Sequence, residues 1–238
     1  MVSPIKVLVY SDLAWPWCYV GQRRLHKAIK AFVDDAPADA AAERKVNVEW
    51  KPFMIDPGVT PMGELFEDYA QRRWGSSAWT SGLKKTGRKD GANFDNFKWA
   101  ANTLKAHQLI HYCKSNGISS TDRVNALLFQ SEYERGENIS LVDVLVGIAR
   151  EALDEDGNSN NDDNNLDDLR RYLTEDEGKI EVQKEIAIGR KRYGITGVPY
   201  FIVSADEGGG NQRQRPYGFS GAQSPETFVE LFEELSEE

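Results

Sequence analysis

The chain has 238 residues, 40% of them apolar and 28% charged, with six tryptophans and a formal net charge of −9. That length suffices for one domain carrying an insertion or for two domains, and the acidic balance argues against a nucleic-acid partner, which needs a concentrated basic stripe. No run approaches the roughly 18–20 apolar residues of a membrane span, and MVSPIKVLVY enters a strand without the basic segment and longer apolar core of a secretory leader; the expected setting is cytoplasmic, with no membrane partner.

In chain order, residues 5–10 are apolar and β-branched and predict a buried strand. Pro16 suits the first turn of a helix, where its missing N–H costs nothing. Cys18, Leu25, Ala28, Ile29 and Phe32 form one stripe of that helix, opposite Arg23, Arg24, Lys27 and Lys30. The acidic, alanine-rich stretch 34–44 reads as a loop or a frayed helix end. Residues 46–50 alternate and predict a second strand, parallel to the first in a right-handed βαβ unit. The Pro- and Gly-punctuated stretch 52–63 leaves the sheet. Helices are then predicted at 64–74, 77–90, 99–116, 120–135, 140–152 and 166–173.

A helix at about 177–192 leads back to the sheet, 200–203 is a strand and 216–219 its hairpin partner. Ser224-Pro225-Glu226 caps a last helix, with Ser as N-cap and Pro at the first position. Residues 154–168 are almost wholly Asp and Asn and read as a solvated connector. A calcium loop is excluded there because no Glu closes it at the twelfth position. Gly208-Gly209-Gly210 reads as a second flexible loop. The order predicts an α/β fold in three parts: a first half over 1–62, an all-helical insertion over 63–175 and a second half over 176–238.

Chemistry concentrates where the first strand hands over to the first helix, in SDLAWPWCYVG. The chain's two cysteines are Cys18 and Cys113, both expected as reduced thiols in a cytosolic setting. Cys18 lies on the apolar stripe, where a buried thiol is inert. His107 and His111 have ligand spacing on a helix, but no Glu follows His107 and no third ligand is evident, so no metal site is expected. Asn138-Ile139-Ser140 is a glycosylation triplet in form only.

Taken in order, "SDLAWPWCYVGQRRL", "PFMIDPGVTPMGE", "ANTLKAHQLIHYC", "LLFQSEYERGENIS", "GITGVPYFIV" and "GFSGAQSPETFVELFEEL" resemble the DsbA-like thioredoxin-fold proteins. The resemblance is narrowest to their FrnE subgroup, near the 2-hydroxychromene-2-carboxylate isomerases and the kappa-class glutathione transferases. It implies a thioredoxin fold with a helical insertion and a cis proline at Pro199. In such relatives the backbone of the preceding residue, here Val198, pairs with glutathione or a peptide across the cleft. Redox members carry Cys-Pro-Trp-Cys with a nucleophilic first cysteine, and the transferase and isomerase relatives place a serine there. Pro16 sets the register, so the matching position here is Trp15, which offers an indole N–H and a large face. The Gly-Ser-Asp run by which transferase relatives hold glutathione corresponds to Gly221-Ala222-Gln223-Ser224, without the Ser and Asp side chains.

The resemblance implies a small-molecule substrate, glutathione as a cofactor and a homodimer. Three functions follow. The first is a non-redox enzyme that isomerises or transfers groups on a small organic molecule, as in secondary metabolism. Its binding residues would be Trp15, Trp17, Val198, Pro199, Asn102, His107, Ser220, Gly221 and Gln223. The second is a thiol-disulfide oxidoreductase working through Cys18 with an external thiol. The third is a non-catalytic binding protein that uses the cleft as a dock.

Overall fold

A computed structural model describes residues 4–34, 44–117, 120–155, 162–205 and 215–236. Strand β1 (Ile5–Ser11) is central in a four-stranded sheet ordered β2-β1-β5-β6. Strand β2 (Val46–Pro52) runs parallel to it, with Ile5 opposite Val46 and Ser11 opposite Pro52. Strand β5 (Tyr200–Ala205) is antiparallel to β1, and β6 (Tyr217–Ser220) closes a hairpin on β5. The parallel pair and the late hairpin are those that the sequence predicts.

Helix α1 (Pro16–Asp34) starts at Pro16 and buries Leu25, Ala28 and Phe32 against Val7 and Val9 of β1 and against helix α9 (Pro225–Ser236). Gly21 is required where α1 meets the turn before β5, since a Cβ there would lie 2.9 Å from the Pro199 ring. The Ser224 hydroxyl accepts the Thr227 N–H at 3.3 Å, so α9 has the predicted cap.

Between β2 and β5 the chain forms β3 (Glu64–Leu65), α2 (Phe66–Trp74), α3 (Thr80–Asp90), β4 (Trp99–Ala100), α4 (Leu104–Asn116) and α5 (Thr121–Gln130). A π-helical turn (Ser131–Arg135), α6 (Val142–Glu155), α7 (Asp162–Thr174) and α8 (Lys179–Arg192) follow. The helix predicted from 99 begins at Leu104, because Trp99 and Ala100 pair with β3. Part of the expected solvated connector is helix α7. Leu166, Leu169 and Leu173 recur at i, i+3 and i+7 and are buried, which outweighs the polar residues between them. Residues 156–161, the glycines 208–210 and most of the expected loop 34–44 lie outside the described residues. The triplet Asn138 is buried, its amide donating to the Met62 carbonyl and accepting the Ser140 N–H. Among the described residues, no helix is long and apolar enough to cross a membrane.

Candidate active site

Beyond β1 the chain turns tightly. The Trp15 N–H donates to the Asp12 carbonyl at 3.0 Å, and the Cys18 N–H donates to the Trp15 carbonyl at 2.8 Å. Trp15 therefore sits just outside the first turn of α1. Its indole is half-buried and packs 6.0 Å from Trp79 and 6.3 Å from Trp74, and those two rings meet edge-on at 5.2 Å. With Phe66, Tyr69 and Phe97 they enclose a narrow cavity of about 30 Å³. That is space for one or two waters, so the aromatic rings nearly fill their own cleft.

Two carboxyl groups line the cavity, in opposite electrostatic situations. Asp56 accepts from the Arg73 guanidinium at 2.8 Å and from the Tyr69 hydroxyl at 3.2 Å. Asp12 is buried and has no cation partner among the described ion pairs. Its Oδ1 accepts from the Ala14 N–H and the Thr103 hydroxyl, and its Oδ2 from the Ile55 N–H at 2.6 Å. Burial pushes the Asp12 carboxyl above the usual range against those three donors. One Oδ2 lone pair is left over. The Trp79 indole N–H, in the same wall, is buried with no acceptor among the described residues.

Cys18 is 1% exposed and its sulfur accepts the Asp12 N–H at 3.5 Å. Burial pushes its thiol well above the ordinary range, and burial pushes Cys113 up to about 12. Both cysteines are free.

The other residues singled out from the sequence fall into separate groups. Val198–Pro199 is a cis peptide, Val198 is buried in the core that also holds Cys18, and Trp17 packs on that core half-buried. The Gly221 N–H donates to the Pro199 carbonyl at 2.8 Å and the Gln223 amide to the Ser220 carbonyl at 2.8 Å, so this stretch joins the proline turn. None of these residues lines the Trp15 cavity. Asn102 is spent on structure: its amide donates to the Val59 carbonyl and its oxygen accepts the Leu104 N–H. His107 is buried, with Nε2 donating to the Phe53 carbonyl at 3.0 Å, and burial pushes its pKa down to about 4. It lines a second cavity on the far side of the end of β1.

Sequence reading did not reach Asp12, Asp56, Tyr69, Trp74 and Trp79. Asp12 stands in the stretch that drew notice, but nothing local distinguishes it from a turn residue. The tryptophans of α2 and α3 carry no periodic signal that links them to Trp15.

A strand, a helix opening on Pro16, a late β-hairpin and a cis proline packed on Gly21 define a thioredoxin-like α/β protein. Trp15 directly precedes its first helix, and the buried Cys18 lies in that helix's first turn. The chain belongs to the DSBA-like thioredoxin domain family, whose model matches residues 6–233. It is similar to the YwbO protein of Bacillus subtilis, at 26% identity over 149 residues, covering 62% of this chain and 66% of that protein. Its fold is similar to that of a probable DsbA oxidoreductase of Streptomyces coelicolor (TM-score 0.72, 23% identity, 97% of this chain and 89% of that one). It is also similar to the cytosolic disulfide reductase DsbM of Pseudomonas aeruginosa, solved with GSH (TM-score 0.57, 14% identity, 96% and 98%).

Proposed function

We propose that the protein is a thiol-independent enzyme of the DsbA-like family, close to its FrnE subgroup, that isomerises a planar organic molecule bound at Trp15. The observation that carries this reading is the Trp15 indole at the start of α1, walled in with Trp74, Trp79 and a buried carboxyl group. A dithiol cycle needs two reachable sulfurs, and Cys18 offers one that is buried and protonated.

The ligand enters by displacing Trp74, which is 40% exposed and is followed by Gly75 in a left-handed conformation. A planar ring then stacks on Trp15, and a ligand carbonyl accepts the unpartnered Trp79 N–H. Asp12 takes a proton from the carbon next to that carbonyl and returns it to the conjugate position. No electron is gained or lost, and no thiol takes part. The upward shift of the Asp12 pKa suits this role, because a carboxylate that binds its proton more tightly is the stronger base. Asp56 is engaged by the Arg73 guanidinium and the Tyr69 hydroxyl and is left out of the proton transfer.

The test is a fluorescence titration with bicyclic aromatic ketones and acids, followed by proton exchange into D2O by NMR. Saturable quenching that weakens at least ten-fold in Trp15→Ala, with exchange abolished in Asp12→Asn, is the expected result. Reduced glutathione is titrated in parallel, since DsbM was solved with GSH. Failure of every aromatic ligand to bind refutes the reading, and tight glutathione binding alone moves the substrate to the Val198–Pro199 turn.

A further inference from the structure

A second cavity, of about 260 Å³, lies between the end of β2, the face of α4 carrying His107, Ile110, His111, Lys114 and Ser115, and helices α5 and α8. It is several times larger than the Trp15 cavity and smaller than a typical drug-sized pocket. Ser11 belongs to this cavity and its neighbour Asp12 to the other, so the end of β1 is a wall between them.

Three polar side chains at least nine-tenths buried line the inner end with hydrogen-bonding capacity unused. His107 donates its Nε2 proton to the Phe53 carbonyl, which can only accept, so Nδ1 bears a lone pair without a donor among the described residues. Asn125 is 1% exposed; its oxygen accepts the Gln22 amide at 2.8 Å, and its own NH₂ has no acceptor among the described residues. The Ser11 hydroxyl is buried beside the Cys18 thiol, with no nitrogen or oxygen partner among the described residues. Leaving such groups unpaired is costly, and three from three elements converging on one cavity mark a site to be filled.

The chemistry of the filler follows from these groups. The inner end holds an acceptor, a donor and a hydroxyl, with no charge, so a charged group would be buried there without a counterion. The rim is charged but balanced. The Lys51 ammonium lies 3.0 Å from Glu185 and 2.9 Å from Glu49, and Lys114 pairs with Glu49 as well. Ammonium and carboxylate alternate at the mouth.

We propose that this cavity binds a small, net-neutral amino acid with an uncharged carboxamide end. The carboxamide N–H donates to His107 Nδ1, its carbonyl accepts from Asn125, and the zwitterionic head faces Lys51 and Glu185. Binding there is independent of Trp15.

L-Glutamine is the probe, titrated calorimetrically and by ¹⁵N NMR of the histidine ring nitrogens in the unaltered protein. The expected result is saturable binding that shifts the His107 Nδ1 signal. Affinity is expected to fall at least ten-fold for L-glutamate, which places a carboxylate at the inner end. It is expected to fall at least ten-fold in Asn125→Asp, which keeps the acceptor for Gln22 and removes the donor, and to be unchanged in Trp15→Ala. Absence of binding means the cavity holds only water and overturns the proposal. Binding that leaves His107 Nδ1 unmoved also overturns it, whether or not the Asn125 variant folds.

Discussion

The amide nitrogen of Asp12 lies 3.5 Å from the sulfur of Cys18, and that N–H is the thiol's backbone partner in the core. The sulfur is an acceptor in a packed interior, and burial keeps it protonated. Native protein should therefore react with a water-soluble disulfide reagent only through opening, while the denatured chain titrates two thiols. Labelling should rise with denaturant and stay far slower than that of the denatured chain at every pH between about 6 and 9, since only the opened state presents a thiol with the ordinary range. Rapid stoichiometric labelling of the native protein at pH 7 would restore Cys18 as a working nucleophile.

Because Pro16, Trp17 and Cys18 keep the register of the redox tetrad, Trp15→Cys rebuilds Cys-Pro-Trp-Cys at the start of α1. Insulin reduction is expected at background in the unaltered protein and above it in the variant. Removing a half-buried indole should cost about 2 kcal/mol of stability, below the range for a fully buried Trp. A well-folded variant without activity would show that the cleft has diverged beyond the tetrad itself.

Glu132 stands in the π-helical turn with its carboxyl group fully buried, and burial holds its pKa well above 4.5 in spite of the Ile139 N–H beside it. The native state thus binds a proton that the unfolded chain releases near pH 4.5. Its contribution is fully present below that pH and is lost as pH rises toward the folded-state value. Glu132→Gln stays neutral throughout. The variant should match the parent near pH 4 and exceed it by about 1–3 kcal/mol at pH 8, the scale of a buried polar penalty. Melting temperatures across that range decide it, and parallel curves would sink the account.

Glu49 behaves in the opposite sense. The ammonium groups of Lys51 and Lys114 outweigh its partial burial and hold it at about 2. Its stabilisation is present above the unfolded value of 4.5 and is lost as pH falls through 2. Glu49→Gln should flatten the acid limb of the stability profile, read as the denaturation midpoint between about pH 5 and pH 2. An unchanged acid limb would mean that other carboxylates carry it.

Gly21→Ala drives a Cβ to 2.9 Å from the Pro199 ring. The expected cost is about 1–3 kcal/mol, the range for overpacking a filled interior. Chemical denaturation measures it; a neutral result would mean that α1 and the proline turn separate freely.

Local order in the chain was enough for β1, the Pro16 start of α1, the parallel β2, the late hairpin and the Ser224 cap. Each is written in residues within a turn or two of one another, as period-two or period-3.6 patterns with a proline or a cap at the boundary. Local order also placed Trp15 immediately before the proline that opens α1. The part of helix α7 that carries Leu166, Leu169 and Leu173 was legible as a helix over 166–173, and only its start at Asp162 was hidden in the Asp- and Asn-rich stretch.

The surroundings of Trp15 follow from long-range packing. The expected wall of Trp17 and Val198–Pro199 is instead Trp74, Trp79, Phe66, Tyr69 and Phe97, supplied by an insertion some 50–80 residues away in sequence. The same packing decided that Ser11 and Asp12, adjacent in sequence, serve two different cavities. Successive residues at a strand end point to opposite faces, and what each face meets depends on long-range packing that no local pattern encodes.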